Sequence, residues 1–66
     1  MTVTVNGRRQ DVAAGETVAS LLESLDLAAP YALVERNGEP VERARYGETL
    51  LAEGDTLVVA RPVAGG

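Results

Sequence analysis

Polar and apolar residues alternate strictly over Thr2-Val3-Thr4-Val5, the two-residue period of a strand with one buried face. Asn6-Gly7 follows. Both residue types tolerate positive φ, so the pair predicts a two-residue hairpin turn. Residues 8–12 read as the returning strand, with Gln10 and Val12 on one face, and Ala13-Ala14-Gly15 breaks it. From Thr17 the period changes. Val18, Leu21, Leu22 and Leu25 recur at i, i+3, i+4 and i+7, the apolar stripe of an amphipathic helix, which leaves Glu23, Ser24 and Asp26 on the wet side. Thr17 is the expected N-cap, its hydroxyl accepting from an early helical N–H. Pro30 is the expected stop, since it has no N–H and disfavours helix in the residue before it.

Residues 31–36 have strand composition, and Asn37-Gly38 predicts a second hairpin. Pro40-Val41-Glu42 reads as a short edge strand, where proline is tolerated. Residues 43–52 show no regular period, and Leu50 and Leu51 are expected as core anchors there. Glu53-Gly54-Asp55 reads as a turn. Residues 56–61 form the last and most hydrophobic strand, expected inside the sheet. A hairpin, a helix and then strands, with the final one central, predict an α+β fold: a single β-grasp (ubiquitin-like) domain whose mixed sheet packs on one helix. The expected boundaries are 1–61 for the domain and 62–66 for a flexible C-terminal tail ending in Gly-Gly.

Sixty-six residues allow one domain. A chain of that size buries only ~60% of its unfolded surface, which leaves little room for a deep cleft of its own. A carrier, a binding module or a substrate is favoured over a free-standing enzyme. The net charge of -4 and pI of about 4.5 argue against nucleic acid as a partner, because phosphate neutralisation needs a basic patch. Cysteine and histidine are absent, which removes thiolate and imidazole nucleophiles, bases and metal ligands; no metal site is expected. All basic residues are arginine, so an activated carboxyl group would meet no ε-amine on its own chain. The first residues lack the basic and apolar regions of a signal peptide, and no apolar run approaches membrane-spanning length. A cytoplasmic location without membrane contact is expected.

The candidate chemistry lies at Val63-Ala64-Gly65-Gly66. Two glycines let a backbone enter a narrow channel and leave the last carbonyl unhindered on both faces, which makes a Gly66 carboxylate the expected reactive group. A carboxylate is a poor electrophile until ATP converts it to an acyl-adenylate that a sulfur or nitrogen nucleophile can attack. Gly65, Ala64, Val63 and Pro62 would give access. Four extended residues reach ~13 Å, enough to enter a nucleotide pocket while the domain stays outside.

Elsewhere the signals are weaker. Leu57 and Val59 share one face of the last strand, Val58 and Ala60 the other. One face is core, and the other is available to join an apolar docking patch with part of the third strand. Leu57 and Val59 are candidate docking residues, with Arg43 and Arg61. Glu53 and Asp55 are spaced as a carboxylate pair, but a polar turn that starts a strand is the better explanation of them. Arg43 and Arg45 suit a solvated loop as well as an acidic partner, and Tyr31 and Tyr46 suit packing at the core rim.

These residues together resemble the ThiS family, the ubiquitin-like sulfur carriers of thiamin biosynthesis. The resemblance rests on Val5-Asn6-Gly7, on Gly15-Glu16-Thr17-Val18 entering a leucine-rich helix, and on Asn37-Gly38-Glu39 with Val41 and Arg43. Tyr46 stands where the family often has tryptophan. Glu53-Gly54-Asp55 and Val63-Ala64-Gly65-Gly66 complete the set, which spans essentially the whole chain. Arg36 and Arg61-Pro62 depart from the family's more apolar pattern. The resemblance implies a carrier that is not itself an enzyme and holds no cofactor. An E1-like adenylyltransferase (ThiF-type) uses ATP to join Gly66 to AMP. A persulfide sulfur donor protein displaces the AMP, reduction leaves a thiocarboxylate, and thiazole synthase (ThiG-type) takes the sulfur. The same terminal chemistry also serves carriers for molybdopterin or tRNA thiolation, and ubiquitin-like modifiers conjugated to lysines. A plain β-grasp interaction domain is the remaining alternative.

Overall fold

The computed structural model describes residues 1–28 and 32–61. Tyr31 and the tail at 62–66 lie outside the described residues. The first hairpin consists of β1 (Thr2–Val5) and β2 (Arg8–Asp11), antiparallel, with Val3 facing Gln10 and Val5 facing Arg8. Asn6 and Gly7 take φ of 50° and 83°, the two left-handed positions that this turn requires.

Helix α1 spans Val18–Ser24. Thr17 caps it: its Oγ1 accepts from Ser20 N at 3.1 Å, while Ser20 Oγ accepts from Thr17 N at 2.9 Å, a reciprocal capping box. The helix stops well before Pro30. Asp26 adopts a left-handed φ of 58°, Leu27 N donates to Leu22 O and Asp26 N donates to Glu23 O, the closing pattern of a Schellman turn. Backbone geometry at Asp26, not the proline, ends the helix.

Strands β3 (Leu33–Arg36) and β4 (Glu39–Pro40) form the second hairpin through Asn37 and Gly38, again both at positive φ. Beyond β4, a 3₁₀ turn at Arg43–Arg45 and an irregular run lead to β5 (Thr56–Ala60). The sheet order is β2-β1-β5-β3-β4, with β5 parallel to β1 and antiparallel to β3. The last strand is therefore the central one of a mixed β-grasp sheet.

The core lies between one sheet face and the helix. Val3, Val5, Val34, Leu57 and Val59 from the sheet meet Val18, Leu21 and Leu22, with Ala32, Tyr46 and Leu51 closing the edges. Tyr46 buries its ring and donates from its hydroxyl to Ala32 O at 2.9 Å, which satisfies the one polar atom it brings inside. Leu51 is buried as expected, but Leu50 is 59% exposed. Leu50 forms a bridge with Thr17, and in extended chain neighbouring side chains point to opposite sides, so only one of the two leucines reaches the core.

Candidate functional site: the bare sheet face at the root of the tail

With one helix covering one face, the other face of the sheet has no layer over it. Pleating decides which residues stand on it. The helix side of β5 takes Leu57 and Val59, which are 1% and 8% exposed. They are core residues, and their assignment as docking residues is corrected: a side chain enclosed under α1 cannot meet a partner. The exposed positions of β5 are Thr56, Val58 and Ala60.

Leu33, directly opposite Ala60, and Glu35, directly opposite Val58, stand on the same bare face. Leu33 is 53% and Val58 49% exposed, large for aliphatic residues. With Val34, Pro40 and Val41 they line a shallow groove of about 250 Å³. Its surface is apolar apart from Glu35. Sequence alternation identified the two faces of β5, but it did not say which one the helix covers.

Arg61 is exposed and follows β5 directly, so it stands at the exit of the strand toward residues 62–66. Arg43 is exposed on the 3₁₀ turn, and Arg45 beside it lies 3.8 Å from Glu42 at the surface, a pairing of little energetic weight. Gly66, Gly65, Ala64, Val63 and Pro62 lie outside the described residues. What is described is the base from which they depart, the central strand.

That base is held on the β1 side by a contact that the sequence pattern did not reveal. Strand β1 pairs with β5 only at Thr4–Thr56 and Val5–Leu57, then turns away into β2. The carboxamide of Asn6 takes the place of the missing strand residue. Its Oδ1 accepts from Val59 N at 2.8 Å and its Nδ2 donates to Val59 O at 3.1 Å.

The carboxylates of the Glu53-Gly54-Asp55 turn do not form a reactive pair. Glu53 Oε1 accepts from Thr2 N at 2.9 Å. Asp55 is buried and accepts from Ala52 N, Asn37 Nδ2 and Arg36 Nε. Burial by itself raises the Asp55 pKa. The hydrogen bonds from Ala52 and Asn37 and the neighbouring Arg36 guanidinium together outweigh it and hold the carboxyl below its ordinary value. Among the described residues, no group of acidic, histidine or cysteine side chains is arranged to hold a metal ion, and no helix is long and apolar enough to cross a membrane.

The ThiS family model matches residues 3–66, the whole domain together with the tail. The chain belongs to the ThiS family. The sulfur carrier protein ThiS of Escherichia coli is 32% identical over all 66 residues, and the alignment covers all of both chains. A thiazole synthase of Magnetococcus marinus is 36% identical over the same 66 residues, of which this chain spans only 20% of that relative's length. Among solved structures, a thiamine biosynthesis protein (ThiS) from Geobacter metallireducens superposes with a TM-score of 0.84 at 38% identity, covering all of both chains.

Proposed function

We propose that this protein is a sulfur carrier of thiamin biosynthesis, with the carboxylate of Gly66 as its working group. The observation that carries this reading is the extent of the family match, which runs from β1 through residue 66 and so includes Gly65-Gly66. The full-length similarity to a sulfur carrier protein supports the same role. The similarity to a thiazole synthase supports a thiazole synthase as the acceptor.

The proposed cycle has three steps. An E1-like adenylyltransferase catalyses attack of the Gly66 carboxylate on the α-phosphorus of ATP, which gives acyl-AMP and pyrophosphate. A persulfide on a donor protein attacks the acyl carbon through its terminal sulfur, and AMP leaves. The resulting acyl disulfide accepts two electrons from a thiol reductant, which cleaves the S–S bond, frees the donor thiol and leaves a thiocarboxylate on Gly66. Thiocarboxylate sulfur is a better nucleophile than carboxylate oxygen, and this suits transfer to an electrophilic carbon. The domain performs none of the bond-making. Its part is to dock and to present the tail.

Docking falls to the bare face. Leu33, Val58 and Ala60 surround the point where β5 leads into the tail, so a partner that covers them also receives the arm. Small Val63 and Ala64 suit a narrow channel on that partner.

Intact mass spectrometry of the protein from its own cells tests the reading. Exchange of one oxygen for sulfur, localised to a peptide ending at Gly66, is the expected result. An unmodified mass that persists after incubation with ATP and a sulfur-competent extract overturns it. So does a mature chain that continues past Gly66 without processing. An isopeptide-linked remnant on other proteins would instead establish a protein modifier.

A further inference from the structure

We infer that Asn6 is a positioning residue for the tail: its carboxamide locks the end of β5, so that the arm starts from one fixed point and direction. This inference rests on the carrier reading above. In a strand, the N–H and C=O of a given residue point to the same side. Those of Val59 point toward β1, which has already turned away, and would otherwise be unpaired polar groups beside a buried side chain. Asn6 reproduces with one side chain the paired donor and acceptor of a strand residue, at 3.1 and 2.8 Å. Among the described residues this is the last hydrogen bond on that side of β5 before the tail. The residue is separated from Val59 by 53 positions, so the contact ties the first turn to the last strand.

Several features mark this as more than turn chemistry. The turn needs only a residue that accepts φ near 50°, which glycine or aspartate also does. The companion Asn37 occupies the same turn position in the second hairpin, and its carboxamide binds Asp55 and Thr56 at the opposite, upstream end of β5. The two asparagines therefore hold the two ends of the central strand, and only Asn6 holds the end that feeds the tail.

Release of that end frees additional residues. If 59–61 are released, a five-residue arm becomes one of eight, and its tip is diluted roughly twofold by chain statistics, before any loss of orientation is counted. Val58 stays paired with Glu35 of β3, on the side of β5 away from Asn6, so docking through Leu33 and Val58 is largely separate and the effect falls on turnover and not on binding.

The test compares wild type, Asn6→Gly and Thr17→Ala. Asn6→Gly keeps the turn conformation and removes both bonds. Thr17→Ala removes the helix cap and lowers stability without touching β5. Amide exchange at Val59 in Asn6→Gly is expected to accelerate on the order of tenfold while Leu21 exchange changes far less. In adenylation assays with the cognate adenylyltransferase and ATP, Asn6→Gly is expected to lose at least roughly twofold in kcat at unchanged KM. Thr17→Ala is expected to keep wild-type kcat. Unchanged Val59 exchange overturns the tether, and so does wild-type kcat in Asn6→Gly or an equal kcat loss in Thr17→Ala. Failure of the wild-type protein to be adenylated at all instead overturns the carrier reading on which the inference rests.

Discussion

Arg36 Nε donates to Asp55 Oδ2 at 3.0 Å, linking the end of β3 to the residue that precedes β5. Arg36 stands where a more apolar residue was expected, and the buried Asp55 carboxylate supplies the reason. Asp55 also accepts from Ala52 N at 2.8 Å and from Asn37 Nδ2 at 3.0 Å, so one side chain fastens the end of β3 and its turn to the turn that precedes β5. Removal of the carboxylate takes the acceptor from three part-buried hydrogen bonds, one of them charged on both sides, and Asp55→Ala is expected to cost about 2 kcal/mol in urea unfolding.

The same carboxylate gives the fold an acid limit. Burial raises its pKa, but the hydrogen bonds and the guanidinium lower it by more, so the folded value lies beneath the unfolded one of about 3.9. Between those two values the unfolded chain holds the proton and the folded chain does not, so protons favour unfolding. The stabilisation is complete above about pH 5 and is lost as pH falls through the folded pKa. Urea titrations of wild type and Asp55→Asn are expected to show the stability gap narrowing as pH falls below about 4. A gap independent of pH would contradict this assignment.

Substitution of Val58 separates the proposed docking from folding. Its side chain is 49% exposed on the bare face and lies directly opposite Glu35. Val58→Lys puts a charge on the apolar groove while gaining an opposite-charge neighbour across the strands, so the fold is expected to tolerate it. The KM for adenylation is expected to rise about tenfold, the loss of roughly 1.4 kcal/mol of binding, with Tm within a few degrees of wild type. An unchanged KM would move the docking surface elsewhere.

Much of this fold was legible because its signals are local. Both asparagine-glycine turns, the Thr17 cap, the leucine stripe of α1 and the placement of β5 inside the sheet follow from period and turn chemistry within a few residues. Two kinds of information were not local. Alternation separates Leu57 and Val59 from Val58 and Ala60, but only the position of α1 decides which pair is buried. Long-range side-chain bonds leave no period at all: Asn6 reads as a turn residue, and nothing near it in the chain announces Val59. Leu50 failed for a related reason, since two adjacent apolar residues in extended chain cannot both face the core.

Asp26 holds the left-handed position that closes α1, where glycine carries no Cβ penalty. An acidic side chain there also faces the negative end of the helix dipole. Asp26→Gly is expected to stabilise the fold by about 0.5 kcal/mol and raise Tm by about 3 °C, measured by calorimetry. A fall in Tm would mean that the carboxylate holds a favourable contact outweighing its backbone strain.

Gly65→Ala addresses the proposed reactive end without disturbing the domain. The Asn6 and Arg36–Asp55 contacts that secure β5 involve none of residues 62–66, so Tm is expected to stay at the wild-type value. The added methyl group restricts backbone torsions and widens the chain by one carbon, in an arm that the proposed mechanism threads toward the α-phosphate of ATP. The rate of AMP transfer is expected to fall tenfold or more, about 1.4 kcal/mol of transition-state stabilisation. KM is expected to change less, because the proposed docking face at Leu33 and Val58 is untouched. Comparable losses in Gly65→Ala and in Val58→Lys, both in KM, would mean that the tail contributes binding alone. A loss confined to kcat in the first and to KM in the second would separate presentation of the tail from recognition of the domain.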